Sequence, residues 1–285
     1  MRLLREGYHE RLFLLTDERE GMIVRKQAKE ASSTLLAEIA WLEELPPSLH
    51  DYFPRVLRSC RENGNGQALF YDMPYFGHGW VLLSELVLTQ ALDRALALTL
   101  IAQVMQIMFG GIFPTTYAEE ESGYPERLVL LLEHWAQRIS QTPAFSSLMR
   151  SEAVILGGAK LWNVFPLLEL LKDDKRIREK LRPAAIRKVH GDLHPENILI
   201  YVPSLRRPTP RVMLLDPIAA IGLSRGDFAM DAAKFRSWLS AELLALRLGL
   251  FSVRKEQGSI PTFELTLHTG DAQLCALSDG ALLHE

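Results

Sequence analysis

His190-Gly191-Asp192-Leu193-His194-Pro195-Glu196-Asn197-Ile198-Leu199, followed by Val212-Met213-Leu214-Leu215-Asp216, is the stretch on which the reading of this chain turns. Asn197 comes five positions after Asp192, and Asp216 comes nineteen after Asn197, at the end of an apolar run. Oxygen-bearing side chains in turns and at strand ends suit Mg²⁺, which prefers carboxylate, amide and phosphate oxygens. The order acid, amide, acid also fits phosphoryl transfer. One carboxylate accepts the proton of an attacking hydroxyl, while the amide and the second carboxylate hold the metal. Asp and Asn favour turns for local reasons too, so neither residue speaks alone. The ordered set of three carries the chemistry.

Outward from this stretch, the chain changes texture once. Residues 1–73 predict a small antiparallel sheet with one helix. Strands flank a turn at Gly7 to Glu10, a third strand covers Met22 to Gln27, and two more are expected over 53–60 and 68–73 around the turn ENGNGQ. Leu35, Ile39, Leu42 and Leu45 recur at helical spacing until Pro46-Pro47 stops the helix. Residues 74–285 are dominated by helical patterns over 91–109, 125–139, 160–182 and 228–249, with PSLRRPTP (203–210) as a turn between two buried strands. Residues 252–273 read as strand or loop. The expected boundary is a hinge near Asp72 to Gly77, and a cleft between two lobes is a common ligand site.

HGDLHPENIL followed by LLDP resembles the catalytic motif and metal-binding acid of the aminoglycoside phosphotransferase family. The resemblance implies an α+β fold of the bilobal, protein-kinase-like kind, with a small antiparallel β-sheet lobe carrying one helix and a larger, mostly helical lobe. It implies Asp192 as catalytic base, Asn197 and Asp216 as metal ligands, and His190 as a brace of the catalytic loop. GLSRGDFAMDAAKF (222–235) is also similar to the family, with Asp231 bracing that loop and Asp227 capping the helix. The implied reaction moves the γ-phosphoryl group of ATP or GTP to a hydroxyl of a small molecule, with Mg²⁺ as cofactor. An aminoglycoside, an amino sugar or a related metabolite would be the acceptor.

A lobe of this kind needs a strand lysine for the nucleotide phosphates and a helix glutamate to hold it. Lys26 ends the run MIVR, and Glu38 lies twelve residues on, bordering the apolar face of the expected helix. A carboxylate there is costly without a partner. Arg25 competes as the cation, since strand alternation lets only one of the two face the cleft; the family pattern favours Lys26. By the same resemblance, backbone near Met73 to Tyr75 would bind the nucleobase. The phosphate-covering turn departs from the pattern, because GYHER has Gly7 as its only glycine and Glu10 adds a negative charge. The acids AEEES (118–122) read first as a solvated charge run and second as a surface that would attract a cationic acceptor. Only fourteen residues separate Asp216 from Asp231, too few for the activation segment of a protein kinase, which favours a small acceptor.

Composition excludes several other classes. The chain has 285 residues, 48% hydrophobic and 24% charged, and 32 Lys+Arg against 35 Asp+Glu leave a formal charge of -3. Such a balance gives no bulk electrostatic reason to bind nucleic acid or an anionic membrane. Cys60 and Cys275 make no disulfide framework, and the charge-broken start MRLLREGYHERLFLL is no secretory signal, so a cytoplasmic location is expected. Residues 95–113 carry no charge over a length near that of a membrane span, and are expected to form a core helix. Two further readings stay open. A non-catalytic nucleotide-binding pseudokinase would suit the glycine-poor turn, and a zinc hydrolase could use His190, Asp192 and His194 as an H-x-D-x-H cluster.

Overall fold

The computed structural model describes residues 1–7, 10–29, 33–61, 69–89, 91–115, 124–156, 159–183, 185–217, 225–239, 248–249, 251–256 and 262–267. By its internal contacts the chain divides into two compact units. Of the described residues, one comprises 1–115, 187–217 and 225–239; the other comprises 124–186, 248–249, 251–256 and 262–267.

The first unit opens with β1 (Arg2–Glu6), β2 (Glu10–Asp17) and β3 (Gly21–Ala28), then α1 (Ser33–Glu43), β4 (Arg58–Cys60) and β5 (Phe70–Pro74). The five strands form one antiparallel sheet in the order β1-β2-β3-β5-β4. The β2–β3 turn is held by Asp17, whose Oδ1 accepts the amides of Arg19 and Glu20. Leu35, Ile39 and Leu42 of α1 are buried at i, i+4 and i+7, as their spacing predicts. Each such side chain contributes about 1.5–3 kcal/mol by leaving water. The strand expected over 53–60 is shorter than its pattern suggests. Only Arg58–Cys60 pairs with β5, while Phe53 packs in the core from irregular backbone. The turn ENGNGQ lies outside the described residues.

β6 (Trp80–Leu82), α2 (Leu83–Leu88), α3 (Arg94–Met105), a π-helical stretch over Gln106–Ile112 and α4 (Phe113–Thr115) follow in the same unit. By length and composition alone, Arg94–Ile112 could cross a membrane. Its Leu100, Ile101, Val104, Met105, Ile107, Met108 and Ile112 instead share one hydrophobic core with Leu35, Ile39, Tyr71 and Ile198. Gly111 lets this segment pass close to the chain at Leu49, where an added Cβ would lie 2.6 Å from Leu49 Cδ2.

The second unit holds α5 (Tyr124–Ser140), α6 (Pro143–Met149), β7 (Ala153–Leu156), β8 (Ala159–Trp162), α7 (Val164–Asp173) and α8 (Lys175–Lys180). The single helix expected over 160–182 is therefore a strand and two helices. Asn163 starts α7, accepting the amide of Val164 at 2.8 Å and donating to the Ser151 carbonyl at 2.8 Å. Asp174 breaks the run by capping α8, accepting the amide of Arg176 at 2.8 Å.

The chain then returns to the first unit with β9 (Arg187–Lys188), β10 (Ile198–Tyr201), β11 (Val212–Leu214), β12 (Arg225–Gly226) and α9 (Phe228–Leu239). β10 is central in the order β11-β10-β6, and β9 pairs with β12. Last come β13 (Phe251–Glu256) and β14 (Thr262–Leu267), which extend the sheet of the second unit in the order β13-β14-β7-β8.

Candidate active site

Strand register decides between Arg25 and Lys26. Residues directly opposite on neighbouring strands share a face. Arg25 is paired with Asp72, and Lys26 with Tyr71. On one face Arg25 makes a bidentate contact to the buried Asp72 at 2.8 and 3.0 Å, and Arg58 joins it from β4. On the other face, Lys26 Nζ donates to Glu38 Oε1 and Oε2 at 3.0 and 2.8 Å, and to Asp216 Oδ1 at 3.0 Å. The Tyr71 hydroxyl donates to Glu38 Oε1 at 2.8 Å. Lys26, Glu38 and Tyr71 are all at most 2% exposed, so these partners are what makes the buried charges tolerable. Burial alone would lower the Lys26 pKa, but Asp216 and Glu38 outweigh it, and the ammonium is held above its ordinary range. Burial raises the pKa of Glu38, against the pull of Lys26.

The loop after β9 is built around backbone amides. The amides of His190 and Gly191 donate to Asp231 Oδ2 and Oδ1 at 2.7 and 2.8 Å. Gly191 adopts φ 79°, a conformation that glycine enters without steric cost. The His190 ring is fully buried against Trp41 and Phe53, and its Nδ1 accepts the Asp192 amide at 3.3 Å. Burial drives its pKa down to about 4, so the imidazole is neutral. Burial likewise pushes the Asp231 carboxyl up to about 6, against the two amides it accepts.

Asn197 closes the loop from its far end. Its Nδ2 donates to the Asp192 carbonyl at 3.0 Å and to Asp192 Oδ2 at 3.1 Å, while its own carbonyl accepts the amide of Leu215 at 2.7 Å. That last bond ties the residue before Asp216 to Asn197. Asp216 itself sits at φ 54°, the left-handed region that Asp enters more readily than most residues.

α9 grips the loop along one face. Asp231, Lys234 and Trp238 stand at i, i+3 and i+7. Asp231 takes the two amides, Lys234 Nζ contacts Asp192 Oδ1, and Trp238 stacks on the His194 ring at 4.4 Å with planes 18° apart. His194 Nδ1 accepts the amide of Glu196, which turns Nε2 toward Asp192 Oδ1, 3.5 Å away. Burial would raise the Asp192 pKa, but His194 and Lys234 overcome it and hold the carboxyl well below the usual carboxylate range. Lys234 and Trp238 were missed from sequence. The signal available was their helical spacing from Asp231.

Met73 is buried in β5, and Tyr75 follows it, about two-fifths exposed, with its amide donating to the Met22 carbonyl at 3.2 Å. Gly7 donates its amide to the Glu10 carbonyl at 2.8 Å, closing the β1–β2 turn; Tyr8 and His9 lie outside the described residues. The acids 118–122 lie outside them as well. Asp227 Oδ1 accepts the amide of Ala229 at 3.0 Å at the start of α9.

The donor atoms left over fit a hard cation. Asn197 spends its amide nitrogen on Asp192, leaving only Oδ1, and Asp216 gives Oδ1 to Lys26, leaving Oδ2. Amide and carboxylate oxygens are the donors Mg²⁺ prefers. Zinc is served poorly. Among the described residues, no three His, Cys, Asp or Glu side chains gather to hold a metal. His190 and His194 each use Nδ1 on a loop amide.

Among solved structures, the chain is similar to a choline kinase from Cryptosporidium parvum Iowa II, at 12% identity and a TM-score of 0.51, covering 99% of this chain and 71% of that one. This likeness shows a shared fold. Also similar are APH(2")-IIia in its GDP and kanamycin complex (15% identity, TM-score 0.45, 75% of this chain and 65% of that) and the macrolide 2'-phosphotransferase MphH from Brachybacterium faecium (14%, 0.44, 99% and 76%). No curated protein matches the sequence. The phosphotransferase enzyme family does, over residues 1–204, most of the chain's length and inclusive of Lys26, Glu38, Asp192 and Asn197, and the chain belongs to that family.

Proposed function

We propose that this protein is a small-molecule kinase that transfers the γ-phosphoryl group of ATP or GTP to a hydroxyl, with Asp192 as base. The observation that carries this reading is one connected network. Glu38 holds Lys26, Lys26 holds Asp216, and Asn197 joins the strand end before Asp216 to the Asp192 carboxylate. Residues 1–73 would supply the nucleotide side and residues 74–285 the catalytic and acceptor side. A cytoplasmic supply of nucleoside triphosphate would feed the reaction.

In this mechanism Lys26 binds the nucleotide phosphates, and backbone near Met73 and Tyr75 seats the base. Asn197 Oδ1 and Asp216 Oδ2 would hold Mg²⁺, which supplies neutralisation of the phosphate oxygens. Asp192 orients the acceptor hydroxyl and takes its proton. The acceptor oxygen forms the new bond to the γ-phosphorus as the bond to the β-bridging oxygen breaks, and the nucleoside diphosphate leaves with that electron pair. His190 and Asp231 fix the loop, so rate comes from positioning and electrostatics. A nucleotide-consumption screen against aminoglycosides, sugars, amino alcohols and nucleosides tests the reading. Turnover should appear with at least one acceptor class and vanish in Asp192→Asn; full turnover in that variant would overturn it.

A further inference from the structure

We infer that Lys234 selects the acceptor by charge, so that the preferred acceptor carries no ammonium group beside its reacting hydroxyl. The inference rests on the transfer role given to Asp192 and narrows the acceptor class. At Asp192, Oδ2 accepts from Asn197 at 3.1 Å, while Oδ1 makes no hydrogen bond among the described residues but lies in ion-pair contact with Lys234 and, at 3.5 Å, with His194. A hydroxyl that gives its proton to this carboxylate must approach to roughly 2.6–3.2 Å. Its neighbouring substituents then lie within a few ångströms of the Lys234 ammonium.

The ammonium is not a free surface charge that could swing aside at no cost. Its side chain is 28% exposed, and α9 is pinned on both sides of it. Asp231, one turn before, holds two loop amides, and Trp238, one turn after, lies flat on His194. Lys234 also offsets the negative charge of Asp192, which would otherwise draw in a cationic acceptor. A second ammonium placed here meets a like charge in a half-buried site, an arrangement that costs affinity for the wrong partner. A neutral hydroxyl compound meets no such penalty. An acceptor carboxylate or phosphate could take over the Lys234 contact and free Asp192 Oδ1 for the incoming hydroxyl.

The test uses the full chain with a nucleoside triphosphate and Mg²⁺. Acceptors come in three matched sets: neutral sugars and polyols, hydroxy-carboxylic acids, and amino alcohols with aminoglycosides. Wild type should favour the neutral or anionic sets in kcat/KM. Lys234→Glu should shift the ratio of cationic to neutral acceptors on the order of 100-fold, and Lys234→Met about tenfold in the same direction. Lys234→Arg should keep the wild-type preference, and the nucleotide KM should change little in all three. The Met variant keeps the test valid if the Glu variant fails to fold. Preference of the wild type for cationic acceptors, or a ratio that ignores the charge at 234, would overturn the inference. If such turnover still depends on Asp192, the transfer reading survives; turnover indifferent to Asp192→Asn would remove both.

Discussion

The Trp41 indole donates its N–H to the Val189 carbonyl at 2.9 Å, from α1 to the residue just before His190. Trp41 lies three residues after Glu38, so the helix that holds Lys26 is fastened directly to the start of the loop that carries Asp192. Lys188 reinforces the joint, donating to the Trp41 carbonyl at 3.1 Å with its ammonium 4.9 Å above the indole centre. The ring packs on Phe53 and His190. The Lys26–Glu38 pair and the loop that carries Asp192 are therefore joined through Trp41.

Trp41→Phe should keep most of the ring packing while leaving the Val189 carbonyl without its donor. The expected loss is about 1–3 kcal/mol, against about 3–5 kcal/mol for Trp41→Ala. Denaturant unfolding measures both. With the loop less firmly held, kcat should fall more than nucleotide affinity in the Phe variant. Equal stability of the Phe variant and wild type would show that the bond contributes nothing.

Lys26 and Glu38 should behave as a coupled pair. Lys26→Met leaves Glu38 and Asp216 without their shared cation in a buried setting, and should destabilise by about 3–5 kcal/mol. Glu38→Gln added to Lys26→Met should recover part of that loss, since one buried charge disappears. A double-mutant cycle on unfolding free energies measures the coupling. Strictly additive losses would contradict it. Neither variant should retain transfer activity.

Much of this site was legible because it is local. The Asp192-to-Asn197 spacing lies within one loop, and the Lys26-to-Glu38 relation needs only a strand followed by a helix. Alternation required that only one of Arg25 and Lys26 face the cleft, and the resemblance alone chose Lys26. Lys234 was not legible. Its partner lies 42 positions earlier, and an i+3 spacing from Asp231 identifies a shared face but not what that face touches. β6 was missed for a related reason: three residues, Trp80–Leu82, form a strand only because Leu199 to Tyr201 arrive to pair with them. In the second unit, residues 160–182 carry a helical pattern, but the pairing of Ala159–Trp162 with β7 overrides propensity at its start.

His190 gives the stability a defined acid limb. Burial lowers its pKa from 6.5 to about 4, so the unfolded chain binds a proton there more readily than the folded one. Its contribution is complete above about 6.5 and is lost as pH falls through the window down to about 4, on the order of 3 kcal/mol in all. His190→Gln should be less stable at neutral pH but should lack this part of the slope. Unfolding free energies of both proteins at pH 4.5, 5.5 and 7 test it. Parallel pH profiles would show that His190 does not titrate across this window.

Asp216 joins two demands at one position, and they can be separated. Its backbone needs φ 54°, and its carboxylate binds Lys26 through Oδ1. Asn accepts the left-handed conformation readily, whereas Ala meets it at a cost of roughly 1–2 kcal/mol. Gly satisfies the backbone and removes the whole side chain. All three replacements lose the Lys26 ion pair, but Asn keeps an amide oxygen that Lys26 can still donate to, so the comparison of Gly with Ala is the one that reports the backbone. Asp216→Asn and Asp216→Gly should therefore unfold later than Asp216→Ala in a denaturant titration. All three should lack Mg²⁺-supported transfer, because no carboxylate oxygen remains at 216 to stand with Asn197 Oδ1. If Ala proves as stable as Gly, the positive φ imposes no strain. If Asn retains full transfer, an amide oxygen at 216 suffices for the metal and the carboxylate charge there is not required.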